Sequence, residues 1–349
     1  MSKPLKIGVF GFYSYRNLGD NLMAYLISRH LQERGHLPVV FSKNAADMAE
    51  WGIPVFGDVR EFMANCDIVF LGGGGLLIPR PRLSGIGQDF NEDLKAMLEV
   101  STENDIPLYG FSLGGAGVPL TQIVPSQRRD LISQMKYVTL RNREDLQLLE
   151  QANIQGEFLD DIVWSVANKI PARTKPKGKE RYRIGINLYL GDSPKFYPTK
   201  FLISAATKIR RDINFIFFDI HPNADGAFNA FYIEGPNCQK KFALDIQESC
   251  DDVASLDLLI TTRLHLGVMA MSYGVPSVAY AAVTKTKLLY NRIGRQKFFW
   301  KSYEFYKFSL LFLFPSGFKT DGKEILPQQV NDNALLHYDA IDRILAAQA

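Results

Sequence analysis

Lys6–Phe10 (KIGVF), the turn Gly11–Gly19 (GFYSYRNLG) and Asp20–Arg34 (DNLMAYLISRHLQER) decide the fold. The first segment reads as a short buried strand. In the third, Leu22, Tyr25, Leu26 and Leu31 recur near helical spacing, and Gly35 follows as a C-cap residue. A strand running through a glycine-bearing turn into a helix is the building unit of a doubly wound α/β sheet.

Outward from this unit the alternation continues. Strands are expected at Pro38–Phe41, Asp67–Leu71, Pro107–Phe111 and Tyr137–Leu140, with helices at Asn91–Thr102, Ser126–Met135 and Arg143–Gln151. Ala167–Arg181 then breaks the pattern. It holds Pro171, Pro176, Gly178 and several basic residues with almost no large apolar one, and it reads as a linker. The pattern restarts with strands at Arg183–Leu188, Asn214–Asp219, Leu256–Thr261 and Pro276–Ala281, and helices at Thr199–Arg211, Leu264–Tyr273 and Asn333–Ala347. A chain of 349 residues exceeds one comfortable core. The expected class is α/β, with two Rossmann-like doubly wound domains facing a cleft, as in GT-B glycosyltransferases. The expected divisions are an N-terminal domain over 1–166, a linker over 167–181, a C-terminal domain over 182–330 and a final helix over 331–349.

Composition narrows the function classes. Hydrophobic residues make up 46% and charged residues 22%, ordinary for a globular protein, and a net charge of +3 gives no bulk argument for nucleic acid. Cys66, Cys238 and Cys250 are odd in number, widely spaced and free of any CxxC pair, which speaks against a disulfide framework or structural zinc and for a reducing compartment. Met1–Lys6 is short and polar, with no signal-peptide apolar region behind it, so a cytoplasmic location is expected. No apolar run reaches the roughly 20 residues of a membrane span. The nearest approach, Phe298–Phe318, is interrupted by Lys301, Glu304 and Lys307. No His or Cys pair has metal-ligand spacing, and Asp160-Asp161 and Asp251-Asp252 read as turns or caps, so neither metal nor cofactor is expected.

In open parallel sheets ligands bind beyond the carboxyl ends of the strands. The unusual residues of this chain fall there. Gly72–Gly75 follows one strand, and Ser112-Leu-Gly-Gly-Ala-Gly117 another. Each loop is open to two readings, a cradle whose N–H groups meet an anion or a plain tight turn. Asn17 and Asp20 precede the first helix; Asp20 either caps it or, with Asn17, grips sugar hydroxyls or acts as a base. Arg141 follows the strand Tyr137–Leu140. Arg263 and His265 open a helix after Leu256–Thr261, pairing a planar clamp for phosphate or carboxylate with a group suited to general acid–base work. Lys285 follows Pro276–Ala281.

Asn17-Leu-Gly-Asp20, Gly72-Gly-Gly-Gly-Leu-Leu77, Val138-Thr-Leu-Arg141 with Asp145-Leu, and Thr262-Arg-Leu-His-Leu266 followed by Gly274-Val-Pro276 and Lys285 occur in that order. Their order and spacing resemble the polysaccharide pyruvyl transferase family from about Ile7 to Leu289. The resemblance implies a GT-B-like fold and transfer of a pyruvyl group from phosphoenolpyruvate to a sugar of a cell-surface glycan or its lipid-linked precursor, as a ketal. It further implies that Arg141, Arg263 and Lys285 bind the donor and that His265 is the catalytic acid. Asp20 is the candidate base, and Asn17, Gly73, Gly74 and Ser112 line the acceptor side or its loops. The sequence departs from the family pattern at Gly110-Phe-Ser-Leu-Gly-Gly115, at Asn142 and at Val283-Thr284. Two other readings use the same residues: a glycosyltransferase with a nucleotide-sugar donor, and a non-catalytic glycan-binding relative. For 298–318 two readings stand, a helix across the interdomain seam and a contact with a membrane surface.

Overall fold

The structure, a computed structural model, describes residues 3–79, 86–173, 181–190, 193–221, 231–242, 245–318 and 328–348. The chain divides into two compact units, Met1–Val163 with Val330–Ala349, and Trp164–Gln329.

Unit 1 runs β1 (Lys6–Phe10), α1 (Leu18–Glu33), β2 (Leu37–Phe41), β3 (Val55–Phe56), α2 (Val59–Ala64), β4 (Ile68–Gly74), α3 (Ile86–Glu103), β5 (Leu108–Leu113), α4 (Ser126–Gln134), β6 (Met135–Leu140), α5 (Gln147–Ala152) and β7 (Gln155–Phe158). The strands form one parallel sheet in the order β3-β2-β1-β4-β5-β6-β7, so the direction of winding reverses between β1 and β4. Central strands covered on both faces need near-continuous apolar runs, and β4 is buried along its whole length. Phe10 stacks on Phe41 with ring centroids 5.0 Å apart, and Phe12 stacks on Phe90 at 3.8 Å. A fully buried ring of this kind contributes about 1.5–3 kcal/mol.

Two of the boundaries that differ from the sequence reading bear on the candidate site, and each differs for a local reason. β4 does not stop at Leu71; Gly72 and Gly74 stay in the ladder opposite Phe111 and Leu113. A Cβ on Gly72 would lie 2.2 Å from the Tyr13 hydroxyl, and one on Gly73 2.0 Å from the Met23 sulfur. The glycines are there to let α1 and the Tyr13 turn close onto the strand. α1 begins at Leu18, ahead of Asp20, because Asn17 is the N-cap: its Oδ1 accepts the Gly19 N–H at 3.1 Å. Asp20 therefore does not cap the helix. It sits in the first turn, where its charge complements the free N–H groups.

Unit 2 runs α6 (Val166–Lys169), β8 (Tyr182–Asn187), α7 (Tyr197–Ile209), β9 (Ile213–Asp219), β10 (Cys238–Phe242), α8 (Ile246–Ala254), β11 (Leu258–Thr261), α9 (Leu264–Ser272), β12 (Ser277–Tyr280), α10 (Thr284–Arg292), β13 (Phe299–Trp300) and α11 (Lys307–Leu313). Its strands are also all parallel, in the order β10-β9-β8-β11-β12-β13, with the reversal between β8 and β11. The expected linker, 167–181, opens within α6, and 174–180 lie outside the described residues. The aromatic stretch 298–318 is not one helix. Phe299–Trp300 forms an edge strand beside Ala279–Tyr280, Ser302–Glu304 is a 3₁₀ turn, and α11 follows. All three cysteines are free, and burial pushes the Cys66 and Cys250 thiols up to about 12.

The last helix, α12 (Gln328–Ala347), returns the chain to unit 1. Asp342 accepts from His30 Nε2 at 2.8 Å and from Arg34 Nε at 2.9 Å. One turn apart on α12, Asn333 and His337 hold both backbone groups of one residue: Asn333 Oδ1 accepts the Asp160 N–H at 2.6 Å, and His337 Nε2 lies 2.8 Å from the Asp160 carbonyl. A carbonyl can only accept, so Nε2 carries the proton. The other ring nitrogen lies 3.0 Å from Thr139 Oγ1, whose oxygen accepts the Ser112 N–H at 2.8 Å. In neutral His337 that nitrogen accepts from the threonine hydroxyl, and the relay is complete.

Protonating His337 would place a second donor against Thr139 inside the core. Burial lowers its pKa to about 4 from the ordinary 6.5, although Asp161 and Glu157 pull the other way. The unfolded chain takes up this proton first. Stability is then full above pH 6.5 and lost as pH falls toward about 4, by roughly 3 kcal/mol. Urea unfolding at stepped pH values is expected to show this loss in the wild-type protein and to show it diminished in His337→Gln.

Candidate active site

In unit 1 the residues that follow β1 meet the end of β4 at the reversal point. Asn17 Nδ2 donates to Asp20 Oδ2 at 2.7 Å. A Cβ on Gly74 would lie 3.1 Å from Asp20 Oδ1, so the bare glycine makes room for that carboxylate. Gly73 and Gly74 both take positive φ, 55° and 84°. The Tyr13 hydroxyl donates to the Gly72 carbonyl at 2.7 Å, and burial together with the nearby Asp20 pushes its phenol well up. The structure thus gathers Asn17, Asp20, Gly73 and Gly74. It adds Tyr13, which lies in the same post-strand turn and was missed there.

The second glycine loop has an internal partner. Asp145 is fully buried, and its carboxylate accepts the N–H groups of Gly115 and Gly117 at 2.6 and 2.8 Å and Asn142 Nδ2 at 2.9 Å. The two amides that an anion would need are held by this carboxylate, so the loop is a clamped turn. Arg141 leaves the end of β6 and pairs with Asp161, Nη1 to Oδ2 at 2.6 Å, with both side chains buried. A Cβ on Gly114 would lie 2.6 Å from Arg141 Nε, so this glycine accommodates the guanidinium. Asp161 also accepts the Val163 N–H at 3.1 Å. It is a buried ion-pair partner, not the solvated turn the sequence suggests. Ser112 is buried at φ 55° and accepts the Ile162 N–H, so it braces the ends of β5 and β7 and does not join the Asn17–Asp20 group.

In unit 2 the corresponding edge is cationic. Fully buried Asn187, at the end of β8, ties three strands: its Nδ2 donates to the Phe218 carbonyl at 3.0 Å, its Oδ1 accepts from Thr261 Oγ1 at 2.9 Å, and its carbonyl accepts the Thr262 N–H at 2.9 Å. The Thr261 hydroxyl oxygen in turn accepts the Arg263 N–H at 2.9 Å. This anchors the residue that starts α9. The Arg263 guanidinium lies 4.3 Å from the centre of the Tyr189 ring, and Tyr189 donates to Asp219 Oδ1 at 3.1 Å. Burial and Asp219 push the Tyr189 phenol up, and Arg263 opposes them. His265 is the second residue of α9 and is buried; Lys285 is the second residue of α10 and is half-buried. β11 and β12 are paired neighbours, so α9 and α10 start from the same sheet edge. Neither helix has a side-chain N-cap bond. Tyr189 and Asp219 were missed by the sequence reading, yet both sit at strand ends. Among the described residues no group of three or more His, Cys, Asp or Glu is placed to hold a metal ion.

The polysaccharide pyruvyl transferase family model matches residues 17–282, and the chain belongs to that family. The match begins at Asn17 and ends before Lys285. No curated protein matches the chain in sequence. Among solved structures, UDP-GlcNAc 2-epimerase from Methanocaldococcus jannaschii is 10% identical, with TM-score 0.58 over 98% of this chain and 100% of that one. The UDP-GlcNAc 2-epimerase from Neisseria meningitidis bound to UDP-GlcNAc is 11% identical, with TM-score 0.56 over 98% and 99%. A calicheamicin glycosyltransferase is 10% identical, with TM-score 0.53 over 99% and 98%. At such identities the likeness is one of fold, the GT-B-like pair of Rossmann-like domains.

The Arg141–Asp161 pair sets an expectation. Removing one member of a buried ion pair strands the other charge, at a cost of about 3–5 kcal/mol. Asp161→Ala should lower the unfolding free energy by that amount in urea titration; a loss below about 1 kcal/mol would be the signature of a solvent-exposed pair.

Proposed function

We propose that this member of the family moves a pyruvyl group from phosphoenolpyruvate onto two hydroxyls of a sugar in a cell-surface glycan or its lipid-linked precursor, leaving a ketal. The observation that supports this most is in unit 2. Two helix N-termini on neighbouring strands carry Arg263, His265 and Lys285 in or beside their first turns. Phosphoenolpyruvate has two anionic ends, a phosphate and a carboxylate. Helix N-termini and a guanidinium fork suit both. The Tyr189 ring and the Thr261 bond to its amide hold Arg263 in place, so less ordering is left to be done when the donor binds.

His265 is the proton donor in this reading. Transfer of its proton to the methylene carbon creates an oxocarbenium-like centre on the adjacent carbon. A sugar hydroxyl forms the first C–O bond there and releases its proton. The bond to the phosphate oxygen then breaks, and a second hydroxyl closes the ketal. Of the two hydroxyl protons, one restores His265 and the other leaves with phosphate. Arg263 and Lys285 stabilise the charge that builds on the departing phosphate, an electrostatic contribution that is usually the largest. Arg141, the remaining donor-side candidate, is buried against Asp161 in unit 1 and is given no step in this reading. The crevice of Asn17, Asp20, Gly73 and Gly74 takes the acceptor, and Ser112 acts through its loop.

His265→Ala should lower turnover by about 10²–10⁴-fold while phosphoenolpyruvate still binds, measured as acceptor-dependent phosphate release and by calorimetry. Turnover near wild type would remove His265 from the mechanism. Nucleotide release from a nucleotide sugar, with phosphoenolpyruvate inert, would make the chain a glycosyltransferase instead.

A further inference from the structure

α7 and α11 lie in contact in unit 2, and the 3₁₀ turns that precede them, Pro194–Phe196 and Ser302–Glu304, also touch. Each helix hides one face, Thr199, Ile203, Ala206 and Thr207 on α7 and Phe308, Leu311 and Phe312 on α11. An amphipathic surface helix would turn polar residues outward. These two turn out apolar ones as well. Tyr197 and Phe201 lie one turn apart on α7, and Tyr306, Leu310 and Leu313 follow at i, i+4 and i+7 along α11. Phe201 is 72% exposed, Leu313 62% and Phe314 65%. Such an uncovered apolar face marks an interaction surface.

Charge selects the occupant. Residues 193–211 contain Lys195, Lys200, Lys208, Arg210 and Arg211 and no acidic residue; Arg210 is paired with Asp212 just beyond, and the other four cations carry the argument. In 298–318 the one acidic residue, Glu304, is bonded to Lys307, which holds its carboxyl below the usual range. A second copy of the chain is a poor occupant. A two-fold interface sets a patch against itself, and this patch would oppose its own lysines. A surface of anionic headgroups over hydrocarbon complements both features at once: lysines meet phosphates while aromatic and leucine side chains enter the boundary. Among the described residues no helix is long and apolar enough to cross a membrane, so the contact is peripheral.

We propose that the face made by α7 and α11 docks this protein on an anionic lipid bilayer. The test is flotation of the full chain with vesicles of phosphatidylcholine alone and of phosphatidylcholine mixed with phosphatidylglycerol. The protein is expected to float with the mixed vesicles and to stay behind with the neutral ones. Phe201→Glu with Leu313→Glu, and separately Lys200→Gln with Lys208→Gln, should each lower partitioning roughly tenfold or more. These side chains are exposed or half-exposed, so an unchanged Tm is the folding control; Phe201→Ser with Leu313→Ser replaces the first pair if it fails that control. Absence of flotation with both vesicles overturns the proposal, as does flotation that the substitutions leave intact. A dimer in analytical ultracentrifugation that Phe201→Glu splits would also overturn it, making the face a self-interface.

Discussion

Every strand pairing in both sheets is parallel, and the rest of the molecule is arranged around that constraint. A parallel strand can be followed by its neighbour only through a crossover, and crossovers are right-handed. Each strand therefore delivers its chain to the same edge of the sheet. Where the winding reverses, at β1/β4 and β8/β11, successive crossovers go to opposite faces and leave a crevice. Asn17, Asp20, Gly73 and Gly74 stand at the first of these points. Arg263 and His265 stand at the second, at the start of α9, after a strand end that Asn187 ties to its neighbours.

The two edges have different electrostatic characters. In unit 1, Asp145 holds the amides of the second glycine loop, Asp161 holds Arg141, and neutral His337 bridges Thr139 and the Asp160 carbonyl. Charges and dipoles there are matched internally. In the proposed reading a neutral, hydroxyl-bearing acceptor meets Asn17 and Asp20 there. In unit 2, Arg263 and Lys285 lie at the starts of helices that have no side-chain N-cap bond, and the Arg263 guanidinium rests on the Tyr189 ring that Asp219 holds. An anionic ligand suits that edge.

Much of this could be read from the chain, and what could not has local causes. Central strands announced themselves because burial on both faces demands apolar runs. Edge strands do not carry that signal: Cys238–Phe242 is mostly exposed, and Phe299–Trp300 is only a pair of residues inside an aromatic stretch. The glycines of β4 resembled a loop because their purpose, clearance for Tyr13 and Met23, lies in residues distant in sequence. Asn17 and Asp20 each suit a cap, and only the hydrogen bond to Gly19 distinguishes them. Asp145, Asp161 and His337 act through partners that no spacing rule connects. Tyr189 and Asp219 were within reach, since looking beyond every strand end applies to β8 and β9 as well.

The return of α12 has a consequence for how the chain is made. Synthesis proceeds from the N-terminus, and domains tend to fold as units while it proceeds. Unit 1 takes chain from both sides of unit 2, and its buried Thr139–His337–Asp160 relay is missing one member until α12 has left the ribosome. Unit 2, although it starts later, has all its described strands and helices before that point. The later-encoded unit is therefore able to finish first, while the nascent sheet of unit 1 waits with its flank uncovered. A chain cut short within α12 would be incomplete in the unit that contains its N-terminal half.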